Sequence, residues 1–241
     1  MKFDIISLFP DFFDSPFACG VLRTAIEREI IEIKITNPRD YAENGTVDDY
    51  QFGGGAGMVM KPEPLIKAVN HVTSTNSLLV ALTPQGNRLE QALVRKLTAH
   101  QHIIIMCGRY KGMDERVRHV LKPFEISIGD YVLSGGEIGA LVLIEAIARL
   151  LPGTLGNKDS ATSDSFEENL LAPAIYTRPR TYKRRSVPHV LRSGNHKLIS
   201  RWRRKDAVTK TLTRRPDLFS CATYKKGDLE ILLEVLNGKK S

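Results

Sequence analysis

Short apolar runs alternate with helical patterns over the first 155 residues of the chain. Five runs rich in Ile, Val, Leu and Phe read as strands: KFDIISLF (2–9), IEIKIT (31–36), SLLVAL (77–82), HIIIMC (102–107) and FEISIG (124–129). Each is bounded by polar or turn residues. Between them, apolar positions recur at helical spacing over 17–29, 63–73, 88–98, 113–121 and 136–151. The prolines of PEPLIKAV fall in a first turn, and Met113, Val117, Val120 and Leu121 share one face of MDERVRHVL. Alternation of this kind predicts an α/β domain whose parallel sheet is covered by helices, with ligands at the loops leaving the carboxyl ends of the strands.

The pattern breaks after residue 156. GNKDSATSDSFEENLLAPAI (156–175) is small, polar and acidic, and reads as a linker. Beyond it, GNHKLISRWRRKDAVTKTLTRR and GDLEILLEVLN predict helices of a smaller second domain, with Leu198, Ile199 and Trp202 on the apolar side of the first. The expected division is 1–156, a linker over 157–175, and a helical domain over 176–241.

Charge sharpens this division. Residues 178–215 carry 14 of the 35 Lys and Arg against one acid, Asp206, in a chain of net charge +8. The remainder is mildly acidic. A basic segment interleaved with Tyr182 and Trp202, close behind Tyr176, predicts a polyanion partner, nucleic acid above all. The amino terminus lacks the features of a signal peptide, and the apolar stretch 138–151 is too short for a bilayer and contains Glu145 and Arg149. Three scattered cysteines predict neither a disulfide framework nor a zinc site. The chain is expected to be cytoplasmic.

Four loops are candidates for chemistry. DDYQFGGGAGMVM (48–60) has four glycines within five residues. LTPQGNRLE (82–90), CGRYKGMDERV (107–117) and IGDYVLSGGE (128–137) each follow a predicted strand and precede a predicted helix. Three glycine-bearing loops at one sheet edge point to a cofactor cleft. The phosphate-binding and dinucleotide fingerprints are absent, as are H-E-x-x-H and G-x-S-x-G, which argues against nucleotide hydrolysis and hydride transfer. Taken singly, each glycine is also accounted for by a tight turn.

Eight segments in order, FGGGAGMVM, TPQG, CGRYKGMDERV, SIGDYVLSGGE, PGTLGN, SDSFEENLL, YTRP and VLRSGNH, resemble the bacterial tRNA (guanine-N1-)-methyltransferases of the TrmD type, in the SPOUT superfamily. The resemblance implies a parallel sheet with a deep trefoil knot, although folded chains seldom thread themselves, and a small helical carboxyl-terminal domain. It implies S-adenosylmethionine held by Pro84, Gly108, Ile128, Gly129, Asp130, Tyr131, Val132, Leu133, Gly135 and Gly136, the glycines letting main-chain groups reach the cofactor. The reaction implied is methylation of N1 of guanosine-37, 3′ of the anticodon, by a homodimer with composite sites. Asp164 would take the N1 proton and Arg149 would stabilise charge growing on O6. Gly54, Gly55 and Gly57 would surround a flipped guanine, while Ser165, Tyr176, Arg178 and His196 would hold the anticodon loop. A loosely held Mg²⁺ is also implied, with no ligands assigned.

Three positions depart from the family pattern: Lys111 stands where Glu is common, Ala56 where Pro is usual, and Ile175 where His often precedes YTRP. Read without the family, Asp164 is better explained as a helix cap three residues before Glu167, and Arg149 as an ion-pair partner of Glu145. Two other functions fit the residues: methylation of another RNA, such as ribosomal RNA, and RNA binding without catalysis.

Overall fold

A computed structural model describes residues 1–156 and 164–238. The chain divides into two compact units, Met1–Lys158 and Asp159–Ser241. The first seven residues of the expected linker, 157–163, lie outside the described residues, as do the last three residues of the chain.

The first unit is built on a five-stranded, wholly parallel sheet in the order β2-β1-β6-β5-β7. Its strands are β1 (Lys2–Ile6), β2 (Glu32–Thr36), β5 (Ser77–Arg88), β6 (His102–Cys107) and β7 (Phe124–Ser127). A separate antiparallel pair, β3 (Asp48–Tyr50) and β4 (Met58–Met60), carries the glycine-rich loop. The central β6 is buried from end to end, which is why it reads as a continuous apolar run rather than an alternating one. Its side chains still alternate between faces. Ile103, Ile105 and Cys107 join the core under α2 (Gly20–Glu27), α4 (Gln91–Leu97) and α6 (Glu137–Ala148). Ile104 and Met106 join the opposite core under α3 (Pro62–Val72) and α5 (Glu115–Leu121).

Asp4 is buried in β1, where an unpaired carboxylate would be costly. His102 Nε2 and Lys2 Nζ each lie 2.6 Å from its Oδ2, and Ser77 Oγ lies 2.8 Å from His102 Nδ1. This polar cluster sits at the amino-terminal edge of the sheet and locks the first residues of three strands together.

Several predicted boundaries shift. The 17–29 helix is shortened to α2, which starts at Gly20 with a φ of +62°, and Ala18 and Cys19 separate it from a short preceding turn, α1 (Asp14–Phe17). The loop expected over 82–90 is largely strand. Both Leu82 and Asn87 of β5 register with Ile126 of β7, so residues 83–86 bulge out of the ladder. At Gly86 a Cβ would stand 2.4 Å from the Ile126 nitrogen, so only glycine lets the strand rejoin β7. The turn residues of TPQG mark a bulge within a strand rather than its end.

In the second unit, α7 (His196–Arg214), α8 (Pro216–Phe219) and α9 (Asp228–Gly238) surround a core of Leu170, Val208, Ile231 and Val235. Asn195 caps α7, accepting from the Lys197 and Leu198 amides. The expected apolar face of α7 is corrected. Ala207, Val208 and Thr211 are its buried residues, whereas Leu198 is half exposed and Trp202 faces the Tyr176 ring at 6.2 Å. The helix packs through its second half, beyond the stretch from which that face was read. Residues 164–174 are fastened to it: the Leu171 amide donates to Thr211 Oγ1 (2.9 Å) and the Ala174 amide to Asp206 Oδ2 (2.6 Å). Among the described residues no helix is long and apolar enough to cross a membrane.

Candidate functional site

The carboxyl ends of β5, β6 and β7 open into a cleft of about 490 Å³. Its walls are the 83–86 bulge, residues 108–113 after β6, residues 128–136 after β7, and Gly139 in the first turn of α6. Such a volume suits a small molecule. Nine of the ten residues expected around a cofactor meet here: Pro84, Gly108, Ile128, Gly129, Tyr131, Val132, Leu133, Gly135 and Gly136. Asp130 is not among the lining residues.

The glycines of this cleft are explained first by the chain itself. A Cβ on Gly136 would meet Cys107 Cα at 2.7 Å, and one on Gly135 would meet Arg109 Nε at 2.2 Å. The Gly136 amide donates to the Gly108 carbonyl at 2.9 Å. The 134–136 segment therefore lies directly against the end of β6, and Gly136 is needed for that approach whether or not a ligand is bound, while Gly135 leaves room for the Arg109 and Glu137 side chains. At Gly129, φ is +149° and a Cβ would strike the Tyr131 ring, whose hydroxyl donates to the Ile128 carbonyl at 3.1 Å. The role expected for these residues, giving a ligand access to backbone, is second to a role in closing the loops on one another.

Beneath the cleft runs a buried polar relay. Glu137 is 1% exposed and accepts from Ser7 Oγ at 2.7 Å. Arg109 Nε is 2.9 Å from Glu137 Oε2, a charge contact whose N–H is not aimed along the line between them. The Arg109 guanidinium lies 4.4 Å over the Phe9 ring. Burial, and then the charge of Glu137, push the Cys107 thiol well above its usual range, so Cys107 is an inert packing residue.

Among the described residues, three cations line the cleft and no acidic residue does. Arg109 is paired with Glu137, and Arg118 with Glu115 and Glu125. Arg118 also donates to Thr83 Oγ1 at 3.3 Å, tying α5 to the bulge. Lys111, the third, is exposed and has no carboxylate partner among the described residues. The sequence marks this loop and its departure at Lys111, but of its residues only Gly108 is expected at the cofactor. Nothing in the spacing marks which of its cations is already paired.

Residues 53–57 connect β3 to β4 beside this cleft. Gly53, Gly54, Gly55 and Gly57 all have positive φ, between +79° and +117°, a conformation open to few other residues. The Lys111 stem crosses Gly57, where a Cβ would stand 3.1 Å from Lys111 Cγ. The Lys111 amide donates to the Met58 carbonyl and the Met60 amide to the Gly112 carbonyl, both at 3.0 Å. The glycine loop is thereby bound to the cleft wall.

Arg149 is not at this cleft. It caps the carboxyl end of α6, whose twelve residues span about 18 Å from the cleft. Ile138 and Val142, exposed at 48% and 43%, lie on an outer face of the same helix, which is apolar nearly all round. The remaining expected residues belong to the second unit. Asp164 is exposed, and Ser165 Oγ accepts from the Ala172 amide at 2.9 Å. Tyr176 is half exposed, Arg178 is exposed, and His196 begins α7 with its side chain in solvent.

Comparison with known proteins agrees with this picture. A family model described as tRNA (Guanine-1)-methyltransferase TrmD matches residues 1–221. Similar curated proteins include three tRNA (guanine-N(1)-)-methyltransferases. That of Gloeobacter violaceus is 51% identical over 222 residues, covering 90% of this chain and 98% of that protein. That of Dictyoglomus turgidum is 46% identical over 237 residues, covering 98% and 96%. That of Bacillus cereus strain AH820 is 44% identical over 244 residues, covering 99% and 100%. With nearly every residue of both partners aligned, the chain belongs to the tRNA (guanine-N1-)-methyltransferase TrmD family.

Proposed function

We propose that this enzyme methylates N1 of guanosine-37 in tRNA, using S-adenosylmethionine bound in the β5–β6–β7 cleft. The observation that carries the reading is the meeting of nine expected cofactor residues in one cleft of suitable size within a chain of this family. The donor set fits the cofactor. Leu82, Ile126 and Leu133 offer apolar surface for an adenine, and the loops at 107–112 and 128–136 offer main-chain N–H and C=O groups. When bound, S-adenosylmethionine supplies an electrophilic methyl group on a sulfonium.

The protein has to remove the guanine N1 proton as the methyl arrives. Asp164 is the proposed base. A carboxylate is a weak base for so weakly acidic an N–H, so the charge developing towards O6 needs a donor that stays protonated, and Arg149 fills that role. Arg149 stands a helix length from the cleft of its own chain, which supports a composite site in a homodimer. The exposed apolar face of α6 supports it too, because a second copy would cover it. The deep trefoil knot is part of the same proposal, resting on the chain's family, and would involve the loops in which the 134–136 segment lies against β6. The glycine loop would take the flipped base, and the basic 178–215 segment would hold the anticodon arm. Among the described residues no group of three His, Cys, Asp or Glu side chains could hold a metal. No residue is assigned to Mg²⁺ and no step depends on one.

Labelled S-adenosylmethionine and unmodified transcripts with G or A at position 37 test this reading. Label is expected in N1-methylguanosine with the G37 transcript alone, and Asp164→Asn is expected to reduce it at least about 100-fold. Transfer that survives Asp164→Asn would move the base elsewhere. Transfer only to another RNA would refute the assigned substrate.

A further inference from the structure

We infer that Lys111 pairs with the α-carboxylate of the cofactor and thereby selects its amino-acid end. This rests on the cofactor reading above. Among the described residues the cleft is walled by three cations and no carboxylate, so an uncommitted cation there favours an anionic group on the ligand. Arg109 and Arg118 are already held by Glu137 and by Glu115 and Glu125. Lys111 alone of the three has its charge uncommitted among the described residues. S-adenosylmethionine carries one anionic group, the carboxylate of its methionine portion.

The placement of Lys111 suits that task. Its amide is tied to Met58 and the neighbouring Gly112 amide to Arg109, which fixes the backbone. Its aliphatic stem lies along Gly57, which steers the chain without ordering the ammonium. Lysine is a compact point charge with three donors, suited to a carboxylate that it meets at the mouth of a cleft. It occupies a position where the family pattern commonly has Glu, so the charge presented to the ligand is reversed here.

The test compares two cofactor relatives by calorimetry, S-adenosylhomocysteine and methylthioadenosine, which lacks the whole amino-acid end. Lys111→Met keeps the stem and removes the charge. It is expected to weaken S-adenosylhomocysteine by about five- to tenfold, a modest figure because the pair is exposed, and to leave methylthioadenosine unchanged. The difference should shrink as salt is raised, and Lys111→Arg should restore most of it. Unchanged binding of S-adenosylhomocysteine would overturn the inference, and so would an equal loss for both ligands, which would mean that Lys111 only shapes the cleft. If the unaltered protein binds neither compound, the cofactor reading falls and this inference with it.

Discussion

Two glycines present for different physical reasons allow the proposed cofactor and substrate sites to be tested separately. Gly136 has an ordinary φ near −79°, but a Cβ there would collide with the Cys107 and Gly108 backbone. Gly136→Ala must push the 134–136 segment off β6, and is expected to cost about 1–3 kcal/mol of stability as well as cofactor binding. Gly54 has open space around it but a φ of +79°. Gly54→Ala is expected to cost about 1–2 kcal/mol through the backbone alone and to leave cofactor affinity intact, while raising KM for tRNA. Denaturant melts with S-adenosylhomocysteine calorimetry on both variants check this. Equal loss of cofactor affinity would refute the division. The sequence shows that both positions are glycine but not why: SGG and FGGGAG look alike until the chain that approaches one of them is known.

At the scale of elements, strands are legible where burial is complete on both faces, because β6 has no polar position after His102 at its start. The bulge in β5 is not, since Pro84 and Gly86 look the same in a loop and in a strand that leaves and rejoins its ladder. The buried face of α7 was hidden for another reason: its first half displays Trp202 and Leu198 without packing them in the core. What anchors that helix is ionic as well as apolar. Arg204 donates to both Asp228 and Glu168, and Lys225 adds a second bond to Glu168. The Arg204 bond holds Asp228 below the usual carboxylate range. At Glu168 burial pushes upward, but the bonds from Lys225 and Arg204 outweigh it and the net shift is downward. Depressed carboxylates stabilise the fold above their unfolded pKa, and that contribution disappears as pH falls through their lower folded values. The second unit is therefore expected to lose stability on acidification below about pH 4. Trp202, the sole tryptophan, reports on it by fluorescence. Arg204→Met should cost about 2–4 kcal/mol at neutral pH, since it strands the buried Asp228, and should flatten the acid dependence. An acid profile unchanged by that substitution would show that other groups drive it.

For the whole molecule, the proposed reaction requires Arg149 to act at a cleft one helix away from it. A second copy placed on the outer face of α6 meets that requirement, and the proposed dimer makes a quantitative claim. In a two-fold assembly with composite sites, an inactive cofactor cleft and an inactive Asp164 are separable defects carried by different chains. Ile128→Arg should block the cleft and Asp164→Asn the proton transfer, leaving each homodimer inactive. Mixed through dissociation and reassociation, random pairing gives heterodimers in half of the population, each with one intact site and one doubly damaged site. Activity is then expected to recover to about a quarter of that of the unaltered enzyme. If each site were built within a single chain, every site in the mixture would carry one defect or the other and nothing would recover. Val142→Glu supplies the control, because a charge on the exposed apolar face should oppose assembly and prevent recovery in a mixture that carries it on both chains. Sedimentation of the same samples separates a failure to exchange subunits from a site that needs no partner. A dimer and a recovery that both persist with Val142→Glu would exclude α6 as the contact, while recovery lost together with the dimer would tie the composite site to that face of α6.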